Sequence, residues 1–150
     1  MARSDDVLME THIDEPGSER PRVLVGKTSL DGHWRGVNIV ATALRDGGFE
    51  VLLAGMVTGD ELAATAIDED VDLVGLNVGG RIEIAERVVA TLRERGYEGP
   101  IFAGGTLAPS AVRRMTSMGV ECYPPGSAID DIVAAARRLT GTGPTTEGPP

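Results

Sequence analysis

Apolar residues along this chain follow two rhythms. Short continuous runs at Arg22–Gly26, Phe49–Leu53, Val71–Leu76, Pro100–Ala103 and Gly119–Tyr123 show almost no alternation of polar and apolar positions. Between them, apolar residues recur every three or four positions. Gly36 to Arg45 carries Val37, Ile39, Val40, Ala43 and Leu44 and stops at Gly47-Gly48. Asp60 to Glu69 carries Leu62, Ala63, Ala66 and Ile67, with Thr58 or Asp60 placed to cap it. Ile82 to Arg95 carries Ile84, Val88 and Leu92, and Pro109 to Met118 opens on a proline suited to a first helical position. A last helix, capped by Ser127, turns Ile129, Ile132, Val133 and Leu139 inward. The first rhythm predicts strands and the second predicts helices.

Strands that read as unbroken apolar runs belong to a parallel sheet covered by helices on both faces. The chain is therefore expected to be an α/β protein, a flavodoxin-like (Rossmann-like) doubly wound five-stranded parallel sheet of order 2-1-3-4-5. In such sheets a ligand sits beyond the carboxyl ends of the strands, near the switch point between strands 1 and 3. Attention falls on the loops after strands 1, 3, 4 and 5. The expected organisation is a flexible leader over 1–20, one folded domain over 21–140 and a disordered tail over 141–150, with a short helix considered over Val7 to His12. The tail contains only Gly, Pro, Thr and Glu, too polar to order itself.

Composition narrows the function. With 41% apolar residues in a chain of 150, one buried core is feasible. Aromatics make up only 3% and the formal charge is −9, so neither stacked bases nor a basic footprint supports nucleic-acid binding. No apolar run approaches the ~18 residues of a membrane span, and no secretory signal is visible. The single cysteine, Cys122, excludes a disulfide within the chain and suits a cytoplasmic location. It is expected to be a buried, unreactive thiol, and Met115 and Met118 are expected in or near the core. Arg81, Glu83, Glu86, Arg87, Arg93, Glu94 and Arg95 are expected to form a solvated helix face.

The loop after strand 1, Lys27 to Gly36, is long for a strand-to-helix connection and holds His33. Asp31 precedes that histidine by two residues. A carboxylate that accepts one imidazole N–H fixes the tautomer and leaves the other nitrogen free for a metal. One histidine cannot complete a metal site. It can give one axial bond to a metal already held in a macrocycle. Gly32 and Gly36 let backbone approach a bulky ligand.

Asp31-x-His33-x-x-Gly36 resembles the Asp-x-His-x-x-Gly signature of base-off, His-on cobalamin-binding domains. The stretch Val25 to Gly36 is similar to that of methylmalonyl-CoA mutase and its acyl-CoA mutase relatives. The likeness continues through Gly48-Phe49-Glu50-Val51, Glu69 to Leu76, Ala103-Gly104-Gly105 and Pro125-Gly126. It implies that His33 is the axial ligand to cobalt, that Asp31 holds His33, and that Lys27 neighbours the pair. It implies a slot for the displaced nucleotide tail between the loops after strands 1 and 3, against the first helix. Gly32, Gly36, Gly104, Gly105, Pro125 and Gly126 would bind the cofactor with them. After strand 3 the family pattern Ser-x-Leu is replaced by Asn77-Val78-Gly79. Asn77 keeps hydrogen-bonding capacity for the nucleotide base, whereas Gly79 cannot supply the apolar side chain.

The resemblance further implies the small, cobalamin-binding subunit of a two-chain adenosylcobalamin-dependent carbon-skeleton mutase. No catalytic residue falls on this chain, which would be inactive without a large partner bearing the substrate barrel. The acyl-CoA type, acting on methylmalonyl-CoA or isobutyryl-CoA, is the first reading and the glutamate (methylaspartate) mutase small subunit the second. A corrinoid carrier for methyl transfer or a cobalamin-dependent sensor is the alternative of another class. The polar stretch before strand 1 does not resemble the helical cap of methyl carriers. A phosphate-accepting receiver is disfavoured by Asn77, which stands where its aspartate would be.

Overall fold

The computed structural model describes residues 20–28, 34–56 and 58–141. The expected leader apart from Arg20, the considered helix over Val7 to His12, and the expected tail apart from Gly141 lie outside the described residues. So do Asp31, Gly32 and His33. Five strands, β1 (Arg22–Lys27), β2 (Glu50–Met56), β3 (Leu73–Val78), β4 (Ile101–Gly105) and β5 (Val120–Tyr123), alternate with five helices. These are α1 (Trp34–Asp46), α2 (Gly59–Asp68), α3 (Ile82–Glu94), α4 (Pro109–Ser117) and α5 (Ile129–Thr140). The strands run parallel in the order β2-β1-β3-β4-β5, as the sequence predicts.

Alternation along each strand divides the interior into two cores. Leu24, Val74, Leu76, Ile101 and Ala103 face α2, α3 and α4, where Leu62, Val89, Leu92 and Met115 are buried. Val23, Val25, Val51, Leu73 and Phe102 face α1 and α5, where Leu44, Ile132 and Ala136 are buried. Each such aliphatic or aromatic side chain contributes about 1.5–3 kcal/mol by leaving water. Burial on both faces explains why the strands lack a polar stripe.

Thr58, and not Asp60, caps α2. Its hydroxyl accepts from the Glu61 N–H while the Glu61 carboxylate accepts from the Thr58 N–H. Asp60 pairs instead with Arg95 at 2.9 Å. The expected Ser127 cap of α5 is overturned. The cap residue is Ala128, without a side-chain bond, and the Ser127 hydroxyl donates to the Pro124 carbonyl at 2.7 Å. The turn at Pro124-Pro125-Gly126 brings that carbonyl within reach first. Asp130 and Asp131 meet the positive end of the helix instead. Gly141 closes α5 in the left-handed conformation, so it belongs to the helix end and not to the tail. The expected solvated face is also corrected in part. Glu86 takes a two-bond ion pair from Arg114 of α4, and Arg93 donates to the carbonyls of Tyr97 and Gly99 while lying over the Tyr97 ring. Met115 is fully buried and Met118 packs against the same core.

The helices α1 and α5 meet at their C-terminal ends. A Cβ at Gly47 would stand 3.0 Å from Val133 Cγ1, and Arg137 donates to the Gly47 carbonyl at 3.1 Å. Beneath their N-terminal halves β3 carries Gly75. A Cβ at Gly75 would stand 2.4 Å from the Phe102 ring, so the ring lies flat across β3 only because residue 75 is glycine. We expect Gly75→Ala to cost about 1–3 kcal/mol by overpacking. Urea unfolding would measure it, and Phe102→Leu in the same chain should recover part of the loss.

Candidate functional site

Register assembles the site from separate strands. Val25, Gly75, Phe102 and Glu121 lie in one row across β1, β3, β4 and β5. The next row toward the carboxyl edge is Lys27, Asn77, Gly104 and Tyr123. Both rows belong to the face covered by α1 and α5. Above them lies a cavity of about 350 Å³. Its floor is Val25, Gly75, Asn77, Phe102, Gly104 and Tyr123. One wall is the start of α1, with Gly36, Val37 and Val40, and the other is the turn Pro124–Ser127 with Ile129 and Ile132 of α5.

Of the residues expected at the site, Gly36, Asn77, Gly104, Gly105, Pro125 and Gly126 come together on this lining. Lys27 shares the row but not the lining. It is 4% exposed and engaged with a partner. Gly79 is buried just past β3 and does not line the cavity. The cavity extends further toward β5 than the expected slot between the loops after strands 1 and 3. The sequence reading passed over Gly75, Phe102 and Tyr123. A glycine inside the apolar run of β3 was the available signal of a close approach there.

The glycines of the lining differ in cause. Gly105 has φ +106°, and a Cβ on it would stand 2.5 Å from the Val78 carbonyl oxygen. Its own chain demands glycine. At Gly104 a Cβ would meet only the Tyr123 carbonyl oxygen, at 3.4 Å, an ordinary contact. Packing among the described residues gives no reason for glycine there. The space that Gly104 leaves opens into the cavity.

Polar groups around the cavity are mostly committed. The Tyr123 hydroxyl donates to Glu121, and the Ser127 hydroxyl to the Pro124 carbonyl. Burial, and then the bond to Glu121, push the Tyr123 hydroxyl up to about 12, so it stays protonated. The hydrogen bond from Arg138 holds the Glu121 carboxyl below the usual range. The Asn77 carbonyl accepts from both the N–H and the hydroxyl of Thr28, at 3.0 and 3.1 Å, which ties the start of the loop after β1 to β3. The Asn77 amide nitrogen lies beside Gly105, 3.2 Å from where a Cβ would stand. Cys122 faces the opposite core, half-buried, with its thiol raised by burial. Among the described residues no group of three or more His, Cys, Asp or Glu could hold a metal ion.

A family model described as the B12 binding domain matches residues 21–135. The chain belongs to the B12-binding domain family. This B12-binding domain is 39% identical over 127 residues to the 2-hydroxyisobutanoyl-CoA mutase small subunit of Aquincola tertiaricarbonis, covering 77% of this chain and 93% of that protein. It is 35% identical over 136 residues to the methylmalonyl-CoA mutase of Cereibacter sphaeroides, covering 87% of this chain but only 19% of that protein. A cobalamin-binding protein from Desulfitobacterium hafniense has the same fold, with a TM-score of 0.68 at 22% identity, covering 81% of this chain and 60% of that one. No helix among the described residues is long and apolar enough to cross a membrane.

The cavity is mostly apolar, lies at the carboxyl edge of the sheet, holds the Asn77 side-chain amide, and keeps at position 104 a glycine that no described residue requires. Two substitutions separate those causes. Gly105→Ala should lower the stability of the ligand-free domain by about 1–3 kcal/mol through backbone strain. Gly104→Ala should change it by no more than about 0.5 kcal/mol. Denaturant unfolding without cofactor checks both.

Proposed function

We propose that this domain serves as the cobalamin-binding small subunit of an adenosylcobalamin-dependent carbon-skeleton mutase of the acyl-CoA type. The observation that carries this reading is the match along 93% of a mutase small subunit, set against 19% of a mutase that includes the same domain in a much longer chain. The substrate would be a branched acyl-CoA: of the 2-hydroxyisobutanoyl kind after the small-subunit relative, of the methylmalonyl kind after the longer mutase, or of the isobutyryl kind, as the sequence resemblance implies. The substrate-binding barrel and the residues that touch substrate belong to a large partner subunit.

Within this chain the work is to bind and orient. His33 would hold the cobalt through one ring nitrogen, Asp31 would accept the other N–H, and Lys27 stands at the end of β1 where that loop begins. The cavity between α1 and α5 would hold the nucleotide tail: Gly36 and Gly104 leave room there, Asn77 offers a donor and an acceptor, and the Pro125-Gly126 turn forms one wall. When bound, adenosylcobalamin supplies homolytic chemistry at its cobalt–carbon bond. The apolar lining would exclude water from the tail's base, and binding there would favour the form in which that base is off the metal.

The decisive measurement is an absorption spectrum. Cobalamin mixed with the wild-type domain should take the base-off, His-on form, and His33→Ala should lose it while retaining the fold. An unchanged spectrum in the variant would overturn the axial assignment. The domain alone with adenosylcobalamin should turn over none of the three acyl-CoA substrates. Turnover without a partner would overturn the subunit reading.

A further inference from the structure

The mutase reading leaves three residues at the edge of the sheet without a role. Tyr123 ends the second floor row, on β5, with no strand beyond it. An aromatic ring on an edge strand has packing from one side only. Phe102 supplies it, edge to face, with centroids 6.3 Å apart and planes at 76°. On the outer side the ring is tied through its hydroxyl, which donates to Glu121 two residues earlier on the same face. Glu121 in turn receives both terminal nitrogens of Arg138 from α5, at 2.5 and 3.2 Å. Neither Glu121 nor Arg138 lines the cavity.

From this chain of contacts we infer that Glu121 and Arg138 are positioning residues for the nucleotide tail, acting through Tyr123. The inference rests on the reading that the tail occupies the cavity. The tie directs the only tyrosine hydroxyl of the lining toward a carboxylate outside it. What remains turned to the cavity is the ring. The tie also joins β5 to α5, so the floor and one wall move as a unit. Arg137, the neighbouring residue, joins the same helix to the end of α1 at the Gly47 carbonyl. Without the carboxylate the Tyr123 ring can turn outward, and its hydroxyl can turn inward to an apolar wall that offers it no partner.

A tail-specific readout tests this. Aquocobalamin and cobinamide, which lacks the nucleotide tail, are titrated into wild type, Glu121→Ala, Tyr123→Phe and the double variant. Wild type should bind aquocobalamin the more tightly. Glu121→Ala should weaken aquocobalamin about tenfold, or about 1.4 kcal/mol, and leave cobinamide within about twofold. Glu121→Gln, which keeps an acceptor for the hydroxyl, should restore most of the loss. In the Tyr123→Phe background Glu121→Ala should add nothing, because the two residues act through one bond. Equal losses for both ligands, no loss for either, or a full additional loss in the Tyr123→Phe background would overturn the inference. Equal affinity of wild type for the two ligands would instead overturn the assignment of the cavity to the tail. Should Glu121→Ala fail to fold, Arg138→Ala removes a side chain that is 60% exposed and reports on the same tie, with a smaller tail-specific loss expected.

Discussion

The rest of the structure depends on β1 being hydrogen-bonded on both sides. The chain leaves β1 to one neighbour, β2, and must cross back over it to form the other, β3. The helices α1 and α5 cover one face and α2, α3 and α4 the other. Val23 and Leu24, adjacent in sequence, are both wholly buried, one in each core. Its neighbour β3 is held likewise between β1 and β4, with Leu73 and Val74 wholly buried in opposite cores. The reversal opens the crevice at the carboxyl edge, and the fixed registers to β3, β4 and β5 furnish its floor.

The order of strands was legible because the two hydrophobic periods are unambiguous and each strand-to-strand crossing is long enough for a helix. The family ligand was legible in Asp31, His33 and Gly36, and three residues of the carboxyl-edge row, Lys27, Asn77 and Gly104, were found by motif. The rest of the floor was hidden for a physical reason. Strands buried on both faces carry no polar stripe, so nothing in their composition fixes the register that sets Gly104 beside Tyr123 or Gly75 beneath Phe102. Ser127 was misread because its local sequence suits a helix cap, whereas a turn of two prolines and a glycine decided its partner. The charges of α3 were misread because their partners, Arg114 and the Tyr97 and Gly99 carbonyls, become neighbours only after packing.

Side by side, Gly104 and Gly105 carry different burdens. Gly105 satisfies a backbone that curls back against β3, a requirement of folding alone. Gly104 satisfies no contact among the described residues. Gly75 is a third kind, serving an aromatic side chain two strands' width from β1. A sequence pattern of small residues at one sheet edge therefore mixes demands of chain geometry, core packing and ligand space, and only the contacts separate them.

Below the cavity, Val23, Leu44, Phe49, Leu73 and Ala136 are each no more than 1% exposed, and Gly47 draws α5 onto α1. Among the described residues the slot thus ends on solid core. A floor of close-packed, fully buried side chains cannot sink to admit a deeper occupant, so the depth of the slot is fixed by the core beneath it.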